Sequence, residues 1–186
     1  MAVILTREFS SSPIGNLPST GKIVDNGALT VDGDGFPSCC LRIRPMPRIQ
    51  IELPEQFTFS TEITLYIGHI NYGGHLDNAL LLAVVSEARL RFFKSLGYSE
   101  LDVEGVSIIV ADAAVQYKSE AFHGEVMVVN MIAADFGSKG CDLLWRMSNR
   151  ETQREVARGK TGILFFDYAA RKVMPVPENF RRRASR

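Results

Sequence analysis

The sequence predicts an α+β fold in which one antiparallel sheet of five strands wraps around a single long helix. Three observations predict it. Residues 57–67 alternate at the period of a strand, residues 79–96 form one strongly apolar helical stretch, and the segments after that return to strand alternation.

Taken in chain order, residues 1–50 lack such patterning. Ser10-Ser11-Ser12-Pro13, Pro18-Ser19-Thr20-Gly21 and Asp32-Gly33-Asp34-Gly35 are turn and coil signals. Short runs such as Ile23-Val24 bury too little surface to offset the entropy of ordering the segment. This stretch reads as a flexible extension, and Met46 is an alternative start. The folded domain is expected over residues 51–180, followed by a basic tail over residues 181–186, where Arg181-Arg182-Arg183 reads as a solvated run.

In the first strand Phe57, Phe59, Ile63, Leu65 and Ile67 alternate with Thr58, Ser60, Glu62, Thr64 and Tyr66. A bend at Gly73-Gly74 follows, and Asp77 or Asn78 can cap a helix that runs to about Leu96 and stops at Gly97. Ala79 to Val85 is apolar all round, which implies a helix covered on most sides. Val106 to Tyr117 and Glu125 to Phe136 are the next strands. The Gly137-Ser138-Lys139-Gly140 turn leads to a fourth strand carrying Cys141, Leu143, Trp145 and Met147, and Glu155 to Asp167 is the fifth. The last four strands read as a meander. A sheet with open edges makes a homodimer or homotetramer the expected state.

Composition narrows the function classes. A formal net charge of zero argues against a protein devoted to nucleic-acid backbone. Three cysteines, with Cys39 and Cys40 adjacent, make a poor disulfide framework and no zinc-site spacing, so no metal is expected and a reducing cytoplasm fits. The N-terminus has no secretory pattern. The longest apolar run, Ala79 to Val85, is far short of the roughly 18 residues a membrane span needs.

The segment from Gly68 to Ala79 concentrates His69, Asn71, His75, Asp77 and Asn78 at a helix N-terminus, where free N–H groups can polarise a carbonyl. Each residue has a plainer alternative. Asn71 orients water or satisfies the turn; His75 is a base or holds the loop; His69 is a replacement base or a packing residue. Asp77 contacts substrate or caps the helix, and Glu87 is a buried base or pairs with Arg91. Tyr72 and Gly74 stand beside these groups as candidate substrate contacts. Arg158 and Lys160 share a strand face by their spacing; with Lys118 they either join Lys139 in a phosphate site or are scattered surface cations.

The Gly74-His75-Leu76-Asp77-Asn78-Ala79 loop, the Ser86-Glu87-Ala88-Arg89 helix segment and Leu96-Gly97 together resemble the hot-dog fold thioesterases. The nearest pattern is the 4-hydroxybenzoyl-CoA thioesterase-like branch. Val115-Gln116-Tyr117-Lys118, His123-Gly124-Glu125-Val126 and Gly162 to Asp167 fit the same pattern, and the resemblance spans about residues 55–180. It implies an acyl-CoA thioesterase with CoA as part of the substrate and no separate cofactor. His75 matches the family histidine, Asn78 the position whose backbone N–H polarises the thioester oxygen, and Lys139 a contact to CoA phosphates. Asn71 stands where the family places its catalytic carboxylate, and His69 where its other loop aspartate lies. An amide can be neither nucleophile nor base, so a non-catalytic acyl-CoA-binding protein is the alternative implication.

Overall fold

The computed structural model describes residues 48–185; the expectations for the N-terminal extension up to residue 47, for a start at Met46, and for Cys39 and Cys40 lie outside the described residues. Six strands and two α-helices follow in the order β1 (Phe59–Thr64), α1 (Leu80–Ser95), β2 (Ser107–Tyr117), β3 (Val126–Ala134), β4 (Gly140–Asn149), β5 (Glu155–Asp167), β6 (Lys172–Met174) and α2 (Glu178–Ala184). All strand pairings are antiparallel, in the order β1-β3-β4-β5-β2, with β6 added to the end of β5.

Alternation sets which face is buried. Met127, Val129 and Met131 of β3 and Leu143, Trp145 and Met147 of β4 are all inaccessible and face α1. Leu81, Val84, Val85, Ala88, Phe92 and Phe93 form the stripe of α1 that meets them. Gly159 of β5 sits opposite Trp145, and a Cβ there would run into the indole, so glycine lets the large ring lie across the sheet.

Four expectations need correction. The first strand stops at Thr64 rather than Ile67, because a single 3-10 turn occupies Ile67–His69 and leaves Ile67 74% exposed. The sheet is not a meander: β2 pairs with β5, and β3 pairs with β1 and β4, so the connection after β2 crosses to another part of the sheet. There are six strands rather than five, because Asp167 Oδ1 accepts from the N–H groups of Ala169 and Ala170 and folds β6 back onto β5. The Arg181-Arg182-Arg183 run is largely exposed, as expected, but it is not a tail. It lies on α2, whose Phe180 is fully buried and stacks on Phe93 with ring centroids 5.4 Å apart. Arg181 donates to the Gly137 carbonyl and Arg183 to the Leu96 carbonyl.

The start of α1 is also less enclosed than its composition suggests. Ala79, Leu80 and Ala83 are not fully covered, with Leu80 37% exposed, because the sheet packs against one side of the helix. Gly97 terminates α1 at φ +82, as expected of a glycine stop. Among the described residues, no helix is long and apolar enough to cross a membrane.

Candidate active site

The loop before α1 is a closed turn. Ile70 bridges to Leu76, the Asn71 N–H donates to the His75 carbonyl at 3.0 Å, and the Gly74 N–H donates to the Asn71 carbonyl. Gly74 takes φ +82, a conformation open to glycine at little cost. The Asn71 side chain joins in: its Oδ1 accepts from the Gly73 N–H at 2.8 Å, an Asx turn that leaves Nδ2 free to donate.

His75 packs over the same glycine. The point where a Cβ on Gly73 would stand is 3.0 Å from Asn71 Oδ1 and 3.1 Å from His75 Nε2, so the two side chains converge there. His75 Nδ1 lies 3.2 Å from the Leu76 carbonyl, which can only accept. That assigns the proton to Nδ1 and leaves Nε2 with its lone pair. His69 is assigned the opposite way. Its Nδ1 accepts from the Tyr66 N–H at 3.1 Å and so carries no proton. That lone pair is spent on closing the 3-10 turn.

At the helix entrance Asp77 Oδ1 accepts from the N–H groups of Ala79 (2.8 Å) and Leu80 (3.1 Å), and its carbonyl accepts from the Leu81 N–H. The Asn78 N–H has no acceptor among the described residues. The Tyr117 hydroxyl donates to the Asn78 carbonyl at 2.9 Å and ties the end of β2 to this turn.

A cavity of about 330 Å³ opens here, lined by His75, Leu76, Asn78 and Leu81 on one side and by Tyr117 to Ala121 and Val156 on the other. The Leu76 N–H donates to the Ala121 carbonyl at 2.8 Å, which clamps residues 119–121 against the loop. The cavity therefore joins segments far apart in the chain.

The predicted residues divide accordingly. His75, Asn78 and Lys118 line the cavity, and Asn71 adjoins it through His75. Tyr72 and Gly74 are exposed on the turn, and Asp77 faces the helix N–H groups. Glu87 is half-exposed and pairs with Arg91 at 2.7 Å, and Arg91 also reaches Thr61 and the Glu62 carbonyl on β1.

The four predicted phosphate-binding cations are not brought together. Arg158 pairs with Glu155 at 2.5 Å, and this hydrogen bond raises the guanidinium pKa and lowers that of the Glu155 carboxyl. Lys160 lies 2.6 Å from Asp142 and 3.6 Å from Asp112, and the bond to Asp142 raises its pKa. Lys139 lines a separate groove beside the turn between β3 and β4.

Sequence reasoning missed Glu120, which lines the cavity from the strand connection, and Tyr117. Nothing in the sequence near His75 marks either one. Hydrogen bonds between distant segments put Glu120 there.

The model of the thioesterase-like superfamily matches residues 66–184, more than half of the chain. The chain belongs to that superfamily. No curated protein matches it in sequence. Solved structures similar to this superfamily member include a 1,4-dihydroxy-2-naphthoyl-CoA thioesterase from Synechocystis, 18% identical with a TM-score of 0.63, covering 68% of this chain and 95% of that one. A thioesterase from Thermus thermophilus, complexed with coenzyme A and Zn, is 20% identical with a TM-score of 0.61, covering 70% and 100%. A gentisyl-coenzyme A thioesterase is 17% identical with a TM-score of 0.60, covering 67% and 98%. The shared fold is the hot-dog, a sheet around one long helix, here with a sixth short strand.

Proposed function

We propose that the protein hydrolyses an acyl-CoA thioester to the free acid and CoA. The unpartnered Asn78 N–H carries this reading: it stands at the positive end of α1 and on the wall of a cavity large enough for an acyl thioester. A carbonyl oxygen bound there gains its strongest stabilisation when it becomes an oxyanion. Asn71 Nδ2 and His75 Nε2 orient the attacking water by donating and accepting hydrogen bonds. Lys118, at the rim and free of any ion pair among the described residues, suits a CoA phosphate. The coenzyme A held by the Thermus thermophilus structure supports the choice of thiol carrier.

The acyl chain runs beside the apolar start of α1. The working unit is a homodimer or homotetramer in the cytoplasm, assembled over the exposed helix face and the open edge of β2. A second reading, acyl-CoA binding without turnover, is favoured by the amide at position 71, whose oxygen is already held by the Gly73 N–H.

Thiol release from a panel of acyl-CoAs of graded chain length tests the proposal. Turnover of at least one substrate class is expected, and Asn71→Ala lowers it about tenfold or more. Tight acyl-CoA binding without thiol release overturns hydrolysis in favour of the binding reading.

A further inference from the structure

The geometry points to Glu120 as the group that takes the proton from the attacking water; we propose it as the catalytic base, an assignment that rests on the thioesterase reading above. Position 71 supplies no carboxylate, and the remaining acids near the loop are already engaged. Asp77 Oδ1 holds two helix N–H groups, Glu87 is paired with Arg91, and Glu125 accepts from the Phe122 N–H and faces Arg154. Among the described acidic residues, Glu120 alone lines the cavity with His75 and Asn78. Its carboxylate has no hydrogen bond or ion pair among the described residues.

The backbone around Glu120 is fixed although its side chain is free. Its carbonyl accepts from Arg154, the next residue's carbonyl accepts from the Leu76 N–H, and Ser119 Oγ donates to the Glu155 carbonyl at 2.7 Å. Glu120 is exposed, and its tethered main chain limits where the carboxylate can reach, at a cavity where a general base must lie within hydrogen-bond reach of the proton it takes. His75 Nδ1 is held against the Leu76 carbonyl, and its Nε2 accepts from the attacking water and orients it, while Glu120 takes the proton. The charged and titratable groups that share the cavity wall with Glu120 are His75, Tyr117 and Lys118, with Arg154 at its carbonyl.

In the step, a Glu120 oxygen removes a proton from water as the water oxygen bonds to the thioester carbon. The C=O π pair moves onto the oxygen held by the Asn78 N–H. The tetrahedral species then collapses, the C–S bond breaks, and the thiolate leaves with the proton returned from Glu120. Water and thioester give acid and thiol, with no further reactant.

Steady-state hydrolysis by the full-length wild type, Glu120→Gln and Glu120→Asp tests this. In Glu120→Gln, kcat falls about 100-fold with KM within about twofold, and the acid limb of the kcat–pH profile disappears; Glu120→Asp keeps an intermediate rate and that limb. The thermal midpoint stays within about 2 °C, because no contact is lost. A Glu120→Gln rate within about twofold of wild type, or a raised KM at unchanged kcat, overturns the assignment and leaves the thioesterase reading standing. A wild type that hydrolyses no acyl-CoA overturns both.

Discussion

Asp77 uses one carboxylate oxygen to hold two N–H groups of the first turn of α1, leaving the neighbouring Asn78 N–H as the free donor at the cavity. The sequence offered both a capping and a substrate-contact reading, and the geometry places the side chain on the cap. Asp77→Ala therefore costs about 1 kcal/mol of stability in urea unfolding. It also lowers turnover by letting the helix start fray around Asn78. Cys141 gives a pH signature. Burial, reinforced by Asp142, pushes its thiol from an ordinary 9.0 up to about 12. A folded-state pKa raised in this way favours the protonated form. The stability it contributes is complete below pH 9 and is lost as pH rises towards 12. Mass spectrometry of the native protein treated with iodoacetamide near pH 8 is expected to find the Cys141 peptide unmodified, and denaturation first makes it reactive. The candidate site was legible as far as His75 and Asn78 because they stand together on a recognisable loop. Glu120 was not, since nothing local separates it from other surface glutamates.

At the scale of elements, local pattern predicted well where a segment's own period decided its structure. The strand alternation of β4 and the limits of β5 follow directly from the residue order, and a glycine at φ +82 stops α1. The failure at α2 is instructive. Three consecutive arginines outweigh one phenylalanine in any local reading, yet Phe180 enters a cluster with Phe93, Phe136, Phe165 and Tyr98. The arginines then close over it: Arg181 lies over Phe136 at 5.3 Å and Arg183 over Tyr98 at 5.3 Å. Phe180→Ala should thus cost about 3–5 kcal/mol in chemical denaturation, the range for deleting a buried aromatic ring. An effect under about 1 kcal/mol would mean that α2 does not dock in solution.

At the scale of the whole molecule, β2 is the long terminal strand of the sheet among the described residues. It pairs with β5 on one side, and Val110 to Ala113 are exposed on it near the uncovered side of α1. A terminal strand of eleven residues that carries Val110 (47% exposed) and Tyr117 (52%) invites pairing with a second copy. Light scattering should give a mass of at least twice the 20.7 kDa chain, and Val110→Asp should lower it by setting like charges against each other across the contact. A monomeric wild type at micromolar concentration would remove the dimer from the account.

The sequence by itself determined the first five strands and the long helix between the first two of them, the helix stop and the polar loop before α1. Each of these follows from periodicity, turn chemistry and capping within a few residues, which is the range over which backbone preferences act. Tertiary structure alone decided that β2 lies beside β5, that a basic segment becomes a docked helix, and that Glu120 shares a cavity with His75. Those outcomes depend on burial and hydrogen bonds between residues far apart in the chain, such as the bond from the Leu76 N–H to the Ala121 carbonyl. No local pattern encodes them, because their stability exists only once the sheet has closed around the helix.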